Sequence, residues 1–229
     1  MAACERPSHT KGDMMGNRAR IITENHDLGV YLHWNGGYDS VSAFLKYCEL
    51  KGYAAPDKDG YGWARLCQVI GNFFGGTNSV GIYPCCDEFL STEDNGVYVI
   101  RGWEIVDRIT SHYFHGEQKV YPLDDMLKDI DASQPVEERF GERFFDAKET
   151  PREELKVGDR VLIYDCFHSK VEEHEIVKRS SHAEYDHSDW MHPVKYYPLM
   201  IMKYPGNEHY DPERHFGNRL TEKTYRVIR

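Results

Sequence analysis

The sequence predicts an α+β fold: an antiparallel sheet with two helices on one face, followed by a small C-terminal β-barrel. Three observations predict it. Within residues 1–116, short β-branched runs flank two stretches whose apolar residues recur at helical spacing. Residues 117–149 are rich in Asp, Glu, Lys and Arg, with only a thin apolar stripe. From 150 to 229 the apolar runs alternate as strands and no helical period returns. The expected organisation is therefore an α+β domain over 1–116, a charged helical linker over 117–149 and a barrel domain over 150–229.

The elements follow in order. In "RARIITENHDLGVYLHW" two β-branched runs, 18–23 and 29–34, are joined by turn-rich residues, which is a hairpin signal. In "DSVSAFLKYCELKG" Asp39 stands at the N-cap position, Val41, Phe44, Leu45 and Cys48 share a helix face, and Gly52 marks the stop. A second helix runs through "YGWARLCQVIGNFFGG", ended by Gly75 and Gly76. "SVGIYP" and "NGVYVI", the latter entered by the turn Asp94–Gly96 and continuing into "WEIVDRI", add strands. Leu123, Met126, Leu127 and Ile130, then Phe140 and Phe144, suggest two short helices in the charged segment. Thr150, Pro151 and Glu153 have the form of a capping box, and Val157–Asp159 turns into a strand at 160–165. Runs at 171–178, 195–203 and 224–229 complete the expected barrel.

Composition narrows the classes. With 40% hydrophobic residues, 16 tyrosines and 10 phenylalanines, the chain has far more apolar surface than a disordered chain carries. No run of 18 apolar residues is present and the first 17 residues contain no apolar signal segment, so a cytoplasmic protein with no membrane partner is expected. Cys4, Cys48, Cys67, Cys85, Cys86 and Cys166 are scattered without a CxxC pair, the pattern of free thiols. Against 38 Asp and Glu there are 28 Lys and Arg, a net of -10, which disfavours nonspecific nucleic-acid binding.

One short stretch combines several chemical groups. "YLHWNGGYDS" sets His33, Trp34, Asn35, Gly36, Gly37 and Asp39 between an apolar run and a helix. Two readings compete. As a ligand-binding turn, the glycines adopt positive φ, unpaired helix amides face an anion, His33 donates, Trp34 stacks and Asn35 reads an edge. As a structural turn, the glycines reverse the chain, Trp34 fills core and Asp39 caps. Neither a P-loop nor a dinucleotide fingerprint is present.

"VYLHWNGGYDSVSAFLKYCE" resembles a Tyr-x-His-Trp-x-Gly motif, followed by a helix, in small accessory proteins carried by phages and prophages, over about the first 110 residues. The resemblance implies a phage-borne protein acting in the host cytoplasm as an antagonist of a host defence system, anti-CRISPR or similar. On that reading the partner is a host protein; the aromatic and polar mix of the first unit offers a small nucleotide-type ligand as the other partner, and no cofactor is expected. "LKVGDRVLIYD" is similar to the opening strand of SH3-like and PUA-like barrels, which implies shape and not task.

Three other constellations stay open. Cys85 or Cys86 with His33 or His112 as base, oriented by Asp87 or Asp107, would make a thiol hydrolase acting on a nucleotide or amide. His182, His187 and His192, spaced by five, would hold zinc or manganese only if a loop gathered them. Tyr31, His33, Trp34, Tyr61, Trp63 and Trp103 would line a pocket for a base, or simply fill a core.

Overall fold

The computed structural model describes residues 17–25, 28–76, 79–84, 92–110, 121–165, 169–179, 184–186, 194–196, 199–202 and 224–228. Contacts divide the chain into a first unit, residues 1–49 and 53–126, and a second, residues 50–52 and 127–229. Residues 127–149, most of the charged segment, thus count with the second unit.

The first unit is built on β1 (Ala19–Thr23), β2 (Leu28–Leu32), β3 (Val80–Pro84), β4 (Val97–Arg101) and β5 (Glu104–Ile109). They form one sheet in the order β3-β2-β1-β4-β5. The expectation of an antiparallel sheet needs correction. β1 pairs antiparallel with β2, Arg20 opposite Tyr31, but parallel with β4, Arg20 opposite Val97. The sheet is mixed because the chain leaves β2, runs through two helices and β3, and returns on the other side of β1 in the same direction. Strand alternation puts Ala19, Ile21, Val30, Leu32, Tyr98 and Ile100 on one face, all fully buried.

The helices α1 (Tyr38–Leu50) and α2 (Tyr61–Phe74) meet through Phe44, whose ring lies 5.3 Å from Phe73 and 6.5 Å from Phe74. Tyr38, the first residue of α1, contacts Tyr98 on the buried sheet face at 6.3 Å. Val41, Phe44, Leu45 and Cys48 are buried, as their spacing requires. α2 ends where expected: Gly75 sits at φ 62°, a left-handed C-cap that a Cβ would disfavour, and its amide bonds Asn72. On the opposite sheet face, Ile22, Val97 and Val99 form a smaller apolar cluster with Tyr83 and Ile109.

In the second unit, α3 (Leu123–Ser133), of which Leu127 onward belongs here, and α4 (Glu142–Asp146) precede an antiparallel sheet. Its strands β6 (Lys148–Pro151), β7 (Arg160–Asp165), β8 (Lys170–Arg179), β11 (Leu199–Met202) and β12 (Thr224–Ile228) run in the order β11-β8-β7-β12-β6. β9 (Glu184–Asp186) and β10 (Val194–Tyr196) form a separate two-stranded ladder. The expected barrel is not closed among the described residues: closure requires a pairing between β11 and β6, and the order leaves both at edges. The capping box also needs correction. Thr150 is a buried strand residue opposite Tyr225, and its hydroxyl donates to the carbonyl of Lys148. Ladder pairing with β12 overrides the local capping signal.

Against this sheet Leu155 packs with the strand residues Val161, Ile176, Tyr225 and Val227 in one apolar cluster. Tyr164, on the alternate side of β7, meets Phe140 at 4.8 Å, and Phe140 stacks on Phe144 at 4.5 Å. Among the described residues, no helix is long and apolar enough to cross a membrane.

Candidate binding turn

The arch from β2 into α1 is fixed by bonds from three directions. The amide of His33 donates to the carbonyl of Ser79, extending the β2–β3 ladder by one residue. The amide of Gly36 donates to Asn17, and the Gly36 carbonyl accepts the hydroxyl of buried Tyr98 at 3.0 Å. A Cβ at Gly36 would stand 2.7 Å from the Cβ and nitrogen of Ala19, so no side chain fits there. The glycine is required by close approach. Positive φ, the expected reason, belongs instead to Asn35 at 54°, and neither Gly36 nor Gly37 adopts it. Asparagine tolerates this conformation better than most residues because its short amide bonds locally, here towards the Ser40 hydroxyl at 3.4 Å.

The N-cap assignment for Asp39 also changes. α1 starts one residue earlier, at Tyr38, and the Gly37 carbonyl takes the first helical bond from Val41. Inside the first turn, Asp39 accepts the Ser40 amide on one oxygen at 2.7 Å and the Tyr121 amide on the other at 2.8 Å. Its carboxylate ties the chain entering α3 to the start of α1.

What the arch presents outward is a row of rings. His33 is exposed and Trp34 is half-buried, so the expectation that Trp34 fills core holds only in part. The imidazole stands edge-on to the indole, 4.8 Å between centroids at 89°. On its other side Nδ1 lies 3.0 Å from the Tyr31 hydroxyl. Burial and the nearby charge of Glu93 hold the Tyr31 phenol above its usual range, so it stays protonated. The protonated phenol and Nδ1 share one hydrogen bond, in which the donor follows the imidazole tautomer.

Beside this row lies an ionic network whose members are distant in sequence. Arg18 grips Asp94 with two nitrogens, each at 2.9 Å, and approaches Glu93 at 3.6 Å. Arg20 meets Glu93 at 3.1 Å and lies 4.5 Å over the ring of Tyr83. The Arg18 guanidinium holds the Asp94 carboxyl below the usual carboxylate range. Sequence reading missed this network: Asp94 was legible only as a turn residue, and nothing local ties it to Arg18.

The remaining candidates separate. Cys85, Cys86, Asp87, His112, His182, His187 and His192 lie outside the described residues. Asp107, on β5, turns one carboxylate oxygen onto the amide of Arg108. Cys48 and Cys67 are free thiols, and burial raises both, Cys67 to about 11, so they remain protonated and unreactive. Of the six aromatics expected to share a pocket, Tyr31, His33 and Trp34 touch ring to ring. Tyr61 is exposed at the start of α2, Trp63 is buried within it, and Trp103 donates its indole proton to Tyr53 at 2.7 Å. Among the described residues no group of three or more His, Cys, Asp or Glu side chains is placed to hold a metal ion. Glu172 and His174 face one another on β8 at 3.6 Å, both nearly buried.

Comparison of the chain with protein families, with curated proteins and with solved structures yields no match.

Proposed function

We propose that the chain acts by binding, and that His33, Trp34 and Asn35 present its ligand-contacting surface. One observation carries the reading: an exposed imidazole held between the Tyr31 hydroxyl and the Trp34 ring, on a backbone fixed by Gly36 and Tyr98. Side chains already ordered lose little entropy on binding, so such a turn favours recognition. The chemistry offered is a ring surface from Trp34 beside the imidazole of His33 and the amide of Asn35. That suits a planar ligand with acceptor atoms, a nucleotide-type molecule or the corresponding side chains of a protein. The resemblance of residues 30–49 to phage-borne accessory proteins supports a host protein as that partner, and defence antagonism as the role, in the host cytoplasm. The acidic balance supports a partner other than a nucleic-acid backbone.

The test starts with native mass spectrometry of the purified chain to identify what copurifies, followed by titration with nucleoside monophosphates read by tryptophan fluorescence. His33→Ala is expected to melt within about 2 °C of wild type, because an exposed ring contributes little core. The same variant should weaken binding at least about tenfold. A strong loss of thermal stability with unchanged binding would assign the turn a structural role instead.

A further inference from the structure

Lys51 directly follows Leu50, the last residue of α1, and residues Leu50–Gly52 count with the second unit by their contacts. The residue is 1% exposed, a degree of burial lysine reaches only with partners that replace water. Its ammonium lies 4.1 Å from the ring centroid of Tyr164 and 4.6 Å from that of Phe140, within the range of cation attraction to a ring face. The charged groups facing it are Asp131 on α3 and Glu138 in the short 3-10 turn Val136–Glu138; from β7 the facing titratable group is Tyr164 itself. Asp131 is held by accepting the amides of Phe140 at 2.8 Å and Gly141 at 2.9 Å. The two carboxylates favour the ammonium, but loss of water outweighs them and brings Lys51 down from 10.5 to about 8.

We propose that Lys51 is a proton-controlled release point of the second unit: while charged, its ammonium favours withdrawal of the Leu50–Gly52 segment into water, so the packing around Phe140 and Tyr164 opens more readily than when Lys51 is neutral. The direction follows from proton counting. Between pH 8 and 10.5 the closed form holds fewer protons at Lys51 than an opened form with the side chain in water. The closed form therefore gains on the open one as pH rises through that window, and below it the gain is absent. Neutral pH is the loose side. A methionine at this position would offer an apolar stem with no charge to withdraw.

The experiment is hydrogen exchange of the full chain with millisecond quench, read as protection factors for the amides of Phe140 and Gly141 from about pH 7 to about pH 10. In wild type, protection is expected to rise above pH 8 by up to about tenfold per pH unit. In Lys51→Met it should be high already at pH 7 and flat. A flat profile in wild type, or the same slope in Lys51→Met, overturns the proposal. Should Lys51→Met fail to fold, the Cε resonance of Lys51 in the wild-type chain decides: a midpoint near 8 supports the release point, and one near the ordinary 10.5 overturns it.

Discussion

Two regions of the molecule, the Arg18 end of the first sheet and the surroundings of Lys51, treat positive charge in opposite ways. In the first, Arg18 and Arg20 sit at the end of the sheet with Asp94 and Glu93 in direct contact. In the second unit, two cations are buried among the described residues. Arg226, 5% exposed, donates to the carbonyls of Phe145 and Ala147 and lies 3.5 Å from Glu149, whereas Lys51 faces rings. A carboxylate within hydrogen-bonding distance replaces what water gave, and the pair strengthens itself: Arg18 is pushed up and Asp94 down. A ring face returns only part of the lost hydration, so Lys51 moves towards its neutral form. The same charge is anchored at Arg18 and held under tension at Lys51.

The sharpest way to break this contrast is Asp131→Ala. The variant removes the acceptor of one buried and one part-buried amide and the stronger of the two negative fields on Lys51, so a loss of about 2–4 kcal/mol is expected by urea unfolding. The Lys51 midpoint should fall further below 8, because burial is then opposed by Glu138 alone of the two carboxylates. An unchanged midpoint would show that the rings alone govern the lysine.

Asp94→Asn should cost less, about 1 kcal/mol, since Arg18 retains water and Glu93. Its signature is in acid. Asp94 is lowered in the native state, so its contribution is present above the ordinary carboxylate range and fades as pH falls through the lowered value. Wild type should therefore lose stability more steeply below about pH 4 than Asp94→Asn does. Parallel acid profiles would remove Asp94 from the account.

The smallest effect marks the boundary. Arg101 and Glu24 are paired at 2.7 Å, yet their side chains are 65% and 46% exposed. Arg101→Ala is expected to leave the melting temperature unchanged, because water already screens that pair. A loss equal to that of Asp94→Asn would mean that exposure does not separate useful ion pairs from idle ones here.

Much of the fold was legible because its signals are local. The apolar spacing of Val41, Phe44, Leu45 and Cys48 marks α1, Gly75 marks the end of α2, and Arg160–Asp165 is found where the turn before it points. What was misread depends on partners elsewhere. Thr150 looks like a cap until β12 pairs with it, and nothing around Ala19–Thr23 says that Val97–Arg101 will lie parallel to it. The turn was legible as a place and not as a mechanism. Asn35 rather than a glycine takes the left-handed conformation, and Gly36 answers to the backbone of Ala19. Lys51 gave no signal at all, since a lysine near a helix end is ordinarily solvated and its rings arrive from far down the chain.

The central place of β1 in its sheet also has a consequence in time. As the chain is made, β1 and β2 can pair at once, and α1, α2 and β3 can follow, but the other side of β1 waits for Val97–Arg101. Until then Arg20–Thr23 offers an unpaired strand edge beside Ile21 and Ile22, the kind of surface that recruits strands from other chains. Closing it brings together groups 76 residues apart, as Arg18 and Asp94 are, and contacts of such separation form slowly. Completion of the first unit is thus tied to the arrival of β4, and the interval before it leaves that edge of β1 open to misassembly.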